Sequence, residues 1–132
     1  MVIRYSSAPE LDSIVKEIVL HLGLTHIDVS RIICIRSRGS KAIRTLARIH
    51  GLPRVWQFAF ESKPYYVIEV ISECFDILNQ QEQEKVLIHE LLHVPGNFGG
   101  GFRHHGNWVN RQRVERVYEI LQKRRQSKYL SA

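Results

Sequence analysis

The sequence predicts a small α+β fold, on the basis of two kinds of apolar pattern and of the chain length. Three segments repeat apolar residues at helical spacing, and three others are rich in β-branched and aromatic residues. At 132 residues the chain is long enough for one hydrophobic core and short for two. We therefore expect one domain over residues 1–132, with a short three-stranded, mainly antiparallel sheet packed against an N-terminal, a central and a C-terminal helix.

The N-terminal helix is predicted to run from about Ala8 to Leu22. The preceding Ser7-Ala8-Pro9-Glu10 has the pattern of a capping box with proline in the first turn. Gly23 follows the last apolar position and is a typical stop signal. The apolar stripe of this helix consists of Leu11, Ile14, Val15, Ile18 and Leu22.

The strands are predicted in the middle of the chain, where β-branched and aromatic residues concentrate. Residues 55–60 and 65–71 would form a hairpin around residues 61–64. Between the first strand and this hairpin, Ser40 could cap a short helix that Gly51-Leu52-Pro53 would end, although a strand is the alternative there. The first strand is predicted over 27–35, and the inward positions of the short helix would be Ala42, Ile43, Leu46 and Ile49.

The second half of the chain predicts two helices separated by a glycine-rich loop. Asn79 can cap the first, and Pro95 ends it soon after His93 because the residue before proline disfavours helical geometry. Residues 96–101 include three consecutive glycines and form the loop. The last helix is predicted from about Gly106 to Arg125, with an apolar stripe of Val114, Val117, Ile120 and Leu121.

Composition favours an ordinary globular protein, with 44% hydrophobic and 24% charged residues. No apolar run approaches 18 residues and the N-terminus lacks the apolar core of a secretory signal, so we expect a cytoplasmic protein without a membrane span. Cys34 and Cys74 match no zinc-binding spacing and are expected to be buried free thiols.

The formal net charge of +6 is unevenly distributed. Residues 29–60 contain no acidic side chain, and the basic segment 31–54 would attract nucleic acid or an acidic protein. Solvated faces are the alternative, since no RNA- or DNA-binding motif accompanies the charge. The cations of this segment are Arg31, Arg36, Arg38, Lys41, Arg44, Arg48 and Arg54.

The motif HELLH lies in the predicted central helix. His89 and His93 are four residues apart and therefore share one helix face, where both imidazoles can bind one metal ion. Glu90 lies beside that face and can take a proton from a water activated by the metal. A chance match is expected only about 0.03 times in a chain of this composition. We therefore predict a catalytic Zn²⁺ site.

A catalytic zinc ion takes three protein ligands, so a third is needed. Gly99 occupies the position at which the metzincin pattern requires its third histidine, which disfavours that family. Glu115 would supply a thermolysin-like ligand from the last helix. His104 and His105 follow the glycine-rich loop, and two adjacent residues do not easily bind one ion together.

The order HELLH, loop, His105-Gly106 and then Trp108 resembles the SprT-like zinc metallopeptidases. The resemblance implies that His105 is the third ligand beside His89 and His93, with Glu90 as general base. The segment from Tyr65 through the glycine-rich loop is also similar to uncharacterised metallopeptidases of archaea and phages. A small zincin-like domain that hydrolyses peptide bonds in peptide or protein substrates is the function that this resemblance implies.

Several points are open at this level. An edge strand, within 55–60 or 65–71, would hold an extended peptide. Tyr65, Tyr66 or Tyr118 would stabilise the oxyanion, and the spacing selects none of them. The alternative functions are a nucleic-acid-associated module with a mainly structural zinc, or a protease that acts on DNA-bound proteins.

Overall fold

The computed structural model describes residues 2–41 and 43–130, and within them it has an α+β architecture of one mixed sheet and five helices. No helix among these residues combines the length and apolar composition that crossing a membrane requires. The strands are β1 Arg4–Ser7, β2 Ile32–Arg38, β3 Ala47–Gly51 and β4 Tyr66–Ile71. The helices are α1 Pro9–Leu22, α2 Arg54–Ala59, α3 Ser72–Phe75, α4 Gln80–Leu92 and α5 Arg111–Leu130.

The sheet has four strands in the order β1-β2-β4-β3, so the predicted count of three is wrong. β4 is central and pairs in parallel with β2, while β1 and β3 are antiparallel to their neighbours. The missed strand, β1, has four exposed residues and no apolar alternation, so its pairing with β2 leaves no signature in the sequence. The parallel pair of central strands buries nearly every residue of β4.

In the middle of the chain, one segment predicted as a strand forms a helix and one predicted as a helix forms a strand. Residues 55–60 lie largely in helix α2 instead of a strand, and no residue of α2 is buried. The short helix predicted after Ser40 is replaced at Ala47–Gly51 by β3, in which half-buried and exposed positions alternate. Of the positions assigned to that helix, Ala42 lies outside the described residues. The predicted hairpin is therefore absent from this region, and residues 61–64 connect α2 to β4 instead.

The capping of α1 and the start of the first predicted strand differ from prediction. Ser7 belongs to β1, and the N-cap of α1 is Ala8, which makes no side-chain capping bond. Gly23 does end α1 in the left-handed conformation, with φ 64°. The first predicted strand begins later, at Ile32, after a 3-10 turn at Val29–Arg31.

Helices α1, α4 and α5 pack together on the inner face of the sheet and enclose the core. Asn79 caps α4 as predicted, since its side-chain oxygen accepts a hydrogen bond from the backbone N–H of Glu82 at 2.9 Å. α5 begins at Arg111 instead of Gly106, and its inward residues include Tyr118, whereas Ile120 is exposed. Between these three helices, Arg125 donates hydrogen bonds to both carboxylate oxygens of Glu17 and of Glu84.

Candidate metal centre

Helix α4 presents the two histidines of the HELLH motif on one face near its C-terminal end. His89 lies in the last turn, and His93 is the C-cap residue, still in helical conformation. Their Nε2 atoms are 3.3 Å apart, at the distance that neighbouring ligands of one ion adopt. Residues 94 and 95 leave the helix at once, as Pro95 predicts.

His105 completes a cluster of three imidazoles. Its Nε2 atom lies 3.1 Å from Nε2 of His89, and the ligand atoms of all three histidines lie within 4.8 Å of one another. Zinc–nitrogen bonds of about 2.0–2.1 Å in a tetrahedron separate neighbouring nitrogens by about 3.3 Å. The two Nε2–Nε2 distances of 3.1 and 3.3 Å agree with that value, so the three side chains could hold one metal ion.

His93 is held in the tautomer that a metal ligand needs. Its Nδ1–H donates to the backbone carbonyl oxygen of Arg103, 2.6 Å away, which leaves Nε2 facing the other imidazoles. The N–H of Arg103 in turn donates to the carbonyl oxygen of His93 at 2.6 Å. The end of α4 is thereby bonded twice to the segment that carries His105.

A second set of contacts fixes the position of the His105 segment. The ring of Trp108 lies between two guanidinium groups, 4.2 Å from Arg103 and 3.8 Å from Arg113. Asn110 caps α5, because its side-chain oxygen accepts from the N–H of Arg113 at 2.8 Å and its amide donates to the carbonyl oxygen of Gly106 at 2.7 Å.

Glu90 is buried beside this cluster, with 7% of its surface exposed. Burial raises the pKa of its carboxyl group to about 8. Burial, together with smaller contributions from the neighbouring His93 and His105, lowers the pKa of His89 to about 4. The neutral imidazole that binds a metal ion is therefore the stable form of His89 at neutral pH.

Glu90 borders both open clefts beside the histidines. One cleft, of about 460 Å³, is lined by Ile49, Glu90, His93, Phe102, His104 and His105. The other, of about 420 Å³, lies on the His89 side between the start of β3, α4 and the start of α5. A general base in this position can reach a substrate that lies across the histidine cluster.

The alternative third ligands lie outside the cluster. Glu115 forms an ion pair with Lys85, with the Nζ–Oε2 distance at 3.0 Å. His104 is exposed and lines the cleft, but it is not among the side chains whose ligand atoms converge. Of the adjacent His104 and His105, it is His105 whose ligand atom lies close to those of His89 and His93.

The three tyrosines considered for oxyanion stabilisation do not line either cleft. The buried Tyr66 uses its hydroxyl to hold the glycine-rich loop, donating to the carbonyl oxygen of Gly101 at 2.7 Å and accepting from the N–H of Gly100 at 2.9 Å. Tyr118 packs beneath the ammonium group of Lys85 at the edge of the core.

The glycine-rich loop is anchored to the sheet edge as well as to Tyr66. Gln57 donates from its amide to the carbonyl oxygens of Leu52, at 2.7 Å, and of Gly99, at 3.0 Å. A Cβ atom at Gly51 would lie 2.2 Å from the carbonyl oxygen of Gly100, and Gly100 itself has φ +99°. Both positions require glycine, because the loop and β3 are in direct contact here.

The free edge of the sheet beside the histidines is β3, so both segments predicted for this role were wrong. Residues 55–60 form α2, and β4 is the central strand. In the register of β3 with β4, Leu52 donates to Tyr65 and Ile71 donates to Leu46, so the even-numbered residues bond to β4. The backbone groups of Ala47 and Ile49 therefore point away from the sheet.

The basic segment 31–54 is largely engaged in ion pairs. Arg31 pairs with Asp28, and Arg48 approaches Glu69 within 3.8 Å. Arg36 and Arg38 both contact Asp76. Four of the seven cations thus have carboxylate partners within the described residues, a pattern typical of solvated faces in a stable protein.

Cys34 and Cys74 form no disulfide, as predicted, although Cys74 is only partly buried. Burial raises the pKa of Cys34 to about 12, with a further contribution from Asp12. A thiol in this state is a poor metal ligand and a poor nucleophile.

Comparison with known proteins agrees with the class of site that the histidine cluster defines. Residues 3–125 match the family model described as "Putative phage metallopeptidase", and the chain belongs to this family. The match spans both the sheet and the histidine cluster, so metal-dependent peptidase activity is the activity that the family supports. No curated protein and no solved structure matched the chain in the same comparisons.

Proposed function

We propose that the protein is a zinc-dependent metallopeptidase of zincin-like architecture, with His89, His93 and His105 as the ligands of the ion and Glu90 as general base. The observation that carries the proposal is the convergence of three imidazole nitrogens, two pairs of them 3.1 and 3.3 Å apart, beside a buried carboxyl group. A set of three nitrogen ligands is typical of catalytic zinc, which keeps a further position for substrate or water.

A bound Zn²⁺ ion would supply Lewis acidity, which lowers the pKa of water and polarises a carbonyl group. Glu90 accepts the proton of the attacking water and later delivers it to the leaving amine nitrogen. Burial favours the protonated form of Glu90, and the positive charge of a bound ion would favour the basic form that this role needs. His93 is kept in the correct tautomer by the carbonyl group of Arg103.

The substrate chain is held by β3. Its outward backbone groups at Ala47 and Ile49 can pair with an extended peptide, which places a peptide bond across the cleft next to Glu90. Further along the strand this edge is covered by the contact of Gly51 with Gly100. The accessible length of strand is therefore short and is aligned with the histidine cluster.

The test compares zinc-loaded wild type with Glu90→Gln on unfolded protein substrates and on a peptide library. We expect hydrolysis to fall by about 10²- to 10⁴-fold in the variant, as for the loss of a general base, while the zinc content stays at one ion per chain. Glu61→Gln, on the exposed connection after α2, is the matched control and should retain activity. Equal hydrolysis by Glu90→Gln and wild type would overturn the assignment of Glu90.

A further inference from the structure

The cleft on the His89 side has walls that differ from those of its neighbour. It lies between the residues leading into β3, the outer face of α4 and the first turns of α5. We refer to it as the arginine groove, after Arg44 on the first wall and Arg111 on the third. The opposite cleft is lined instead by Ile49, Phe102, His104 and three residues of the site, and no lysine or arginine is among its lining residues.

Charges within the arginine groove are unequally matched. Lys85 lies between two carboxylates, with its Nζ atom 3.0 Å from Glu115 and 3.8 Å from Glu82. Arg44 and Arg111 are exposed and form no ion pair with any side chain in the described parts of the chain. Glu82 and Glu115 are therefore engaged by Lys85, the third carboxyl group of the groove is that of the proposed general base Glu90, and the guanidinium groups of Arg44 and Arg111 stay available to an incoming anion.

The first turn of α5 adds to this positive field. Arg111 is its first residue, and the unpaired N–H groups of a long helix's first turn carry a partial positive charge. A guanidinium group donates in a fixed planar fork that matches a carboxylate. Two such groups beside the histidine cluster favour a carboxylate side chain over a neutral or cationic one.

The direction of β3 relates the groove to the scissile bond. The strand runs from Ala47, which lines the groove, towards Gly51 and the opposite cleft. A peptide paired antiparallel to β3 runs the other way, so its residues after the scissile bond point towards Arg44. Antiparallel pairing is the arrangement that β3 already has with β4.

From this arrangement we propose that Arg44 and Arg111 form a subsite for an acidic side chain, Asp or Glu, on the C-terminal side of the bond that is cleaved. The proposal rests on the peptidase function proposed above and specifies its substrate class. An acidic residue placed here would bridge the two guanidinium groups while the peptide bond before it lies across the histidine cluster. The opposite cleft, with Ile49 and Phe102, would receive an apolar side chain.

The first experiment maps the cleavage sites of the zinc-loaded protein on a peptide library by mass spectrometry. We expect Asp and Glu to be enriched at one position directly after the cleaved bond. In the double variant Arg44→Gln/Arg111→Gln, kcat/KM for a Glu-containing peptide should fall by about 5- to 30-fold, and that for its Gln twin should change less than about twofold. Arg116→Gln, on an exposed position of α5 outside the groove, should leave both values unchanged.

A second experiment does not depend on turnover. Fluorescence anisotropy measures the binding of the same Glu and Gln peptides, fluorescein-labelled, to zinc-loaded Glu90→Gln protein with and without the two arginine substitutions. We expect the Glu peptide to bind at least about fivefold more tightly, and this preference to vanish at high salt and in the arginine variants. Hydrolysis by the wild type with no acidic preference, or with one only before the cleaved bond, would overturn the subsite and leave the peptidase function standing. If the Glu peptide binds through the two arginines but the wild type hydrolyses no substrate, the acidic subsite is upheld and the peptidase function is overturned. Failure of both peptides to bind would overturn the subsite.

Discussion

His93 and Arg103 exchange two hydrogen bonds of 2.6 Å, one from the imidazole Nδ1–H to the carbonyl oxygen of Arg103 and one from the N–H of Arg103 to the carbonyl oxygen of His93. These bonds attach the segment before His105 directly to the end of α4. The position of the third imidazole is therefore set by protein contacts alone. A site built in this way is expected to bind metal without refolding, and the consequences of losing a ligand should be local.

Replacing His105 by alanine should remove a zinc ligand, whereas replacing its neighbour His104 should not. Partners that only orient a ligand contribute about 10- to 100-fold to metal affinity, so loss of a ligand is expected to weaken zinc binding by at least about 100-fold. The measurement is zinc content after dialysis against a competing chelator, with a titration of the metal-free protein. Glu115→Gln is the control for the alternative ligand and should bind zinc like wild type. Equal affinity of the His105→Ala variant and wild type would show that the imidazole cluster is not the metal site.

The buried carboxyl of Glu90 predicts an unusual dependence of stability on pH in the metal-free protein. Its pKa is about 8 in the folded chain against an ordinary 4.5, so the folded state keeps a proton that the unfolded state releases. The free energy of unfolding should fall as pH rises from about 4.5 to about 8, and the loss is complete above that window. In Glu90→Gln this contribution is absent, so the variant's melting temperature should rise relative to wild type between pH 5 and pH 8.5.

Thermal unfolding of both proteins with a chelator present, at pH 5 and at pH 8.5, measures this effect. All other titrating groups are common to the two proteins and cancel in the difference. Any constant effect of the glutamine amide also cancels, because only the change with pH is compared. A difference in melting temperature that is the same at both pH values would mean that Glu90 ionises as it would in water.

How much of this site is predictable from sequence depends on whether the contacts are local. His89, Glu90 and His93 lie within five residues of one helix, and the periodicity of that helix fixes their shared face. The third imidazole comes from sixteen residues after His89, and only the resemblance to known peptidases pointed to it. The orienting partner of His93 is a backbone carbonyl group, which no side-chain pattern can reveal.

The fold errors have a related cause. Residues 54–59 are mostly apolar or aromatic, yet they form an exposed helix that begins after Pro53, and β3 takes the edge position beside β4 that they were predicted to fill. β3 itself contains Arg48 and His50, which face Glu69 on the outer side of the sheet. Because these two of its five residues are polar, the segment lacks the run of β-branched and aromatic residues by which a strand is predicted. The partners that β3 pairs with on β4 lie 15 to 23 residues later in the sequence, so its structure is decided by contacts that a local pattern does not contain.

Tyr66→Phe should loosen the glycine-rich loop without disturbing the metal ligands. The substitution leaves the N–H of Gly100 and the carbonyl group of Gly101 without their partner in a partly buried place, which is expected to cost about 1–3 kcal/mol. Hydrogen exchange at Gly100 and limited proteolysis between residues 96 and 101 should accelerate, and zinc content should not change. Tyr65→Phe, one residue earlier and partly exposed, is the matched control. Unchanged exchange at Gly100 would show that Gln57 alone holds the loop.

Arg125 is expected to be the side chain whose loss most weakens the packing of the three long helices. It donates to both carboxylate oxygens of Glu17 on α1 and of Glu84 on α4, and the side chain of Glu84 is only 5% exposed. Arg125→Ala leaves the charge of Glu84 buried without its cation, and breaking such a pair typically destabilises by about 3 kcal/mol. The midpoint of urea unfolding should therefore fall clearly, whereas the exposed Lys123→Ala on the same helix should leave it nearly unchanged.

A second substitution separates the charge from the packing. If the unpaired carboxylate of Glu84 causes the loss of stability in Arg125→Ala, adding Glu84→Gln should recover part of that loss. The reason is that a neutral amide is less costly to bury than a charge. The same substitution in the wild-type background should be destabilising, since Arg125 then loses one of its two partners. Opposite signs in the two backgrounds are the expected result of this double-mutant cycle. Equal effects of Glu84→Gln in both would mean that Arg125 acts through its aliphatic stem, with the ion pair contributing nothing measurable.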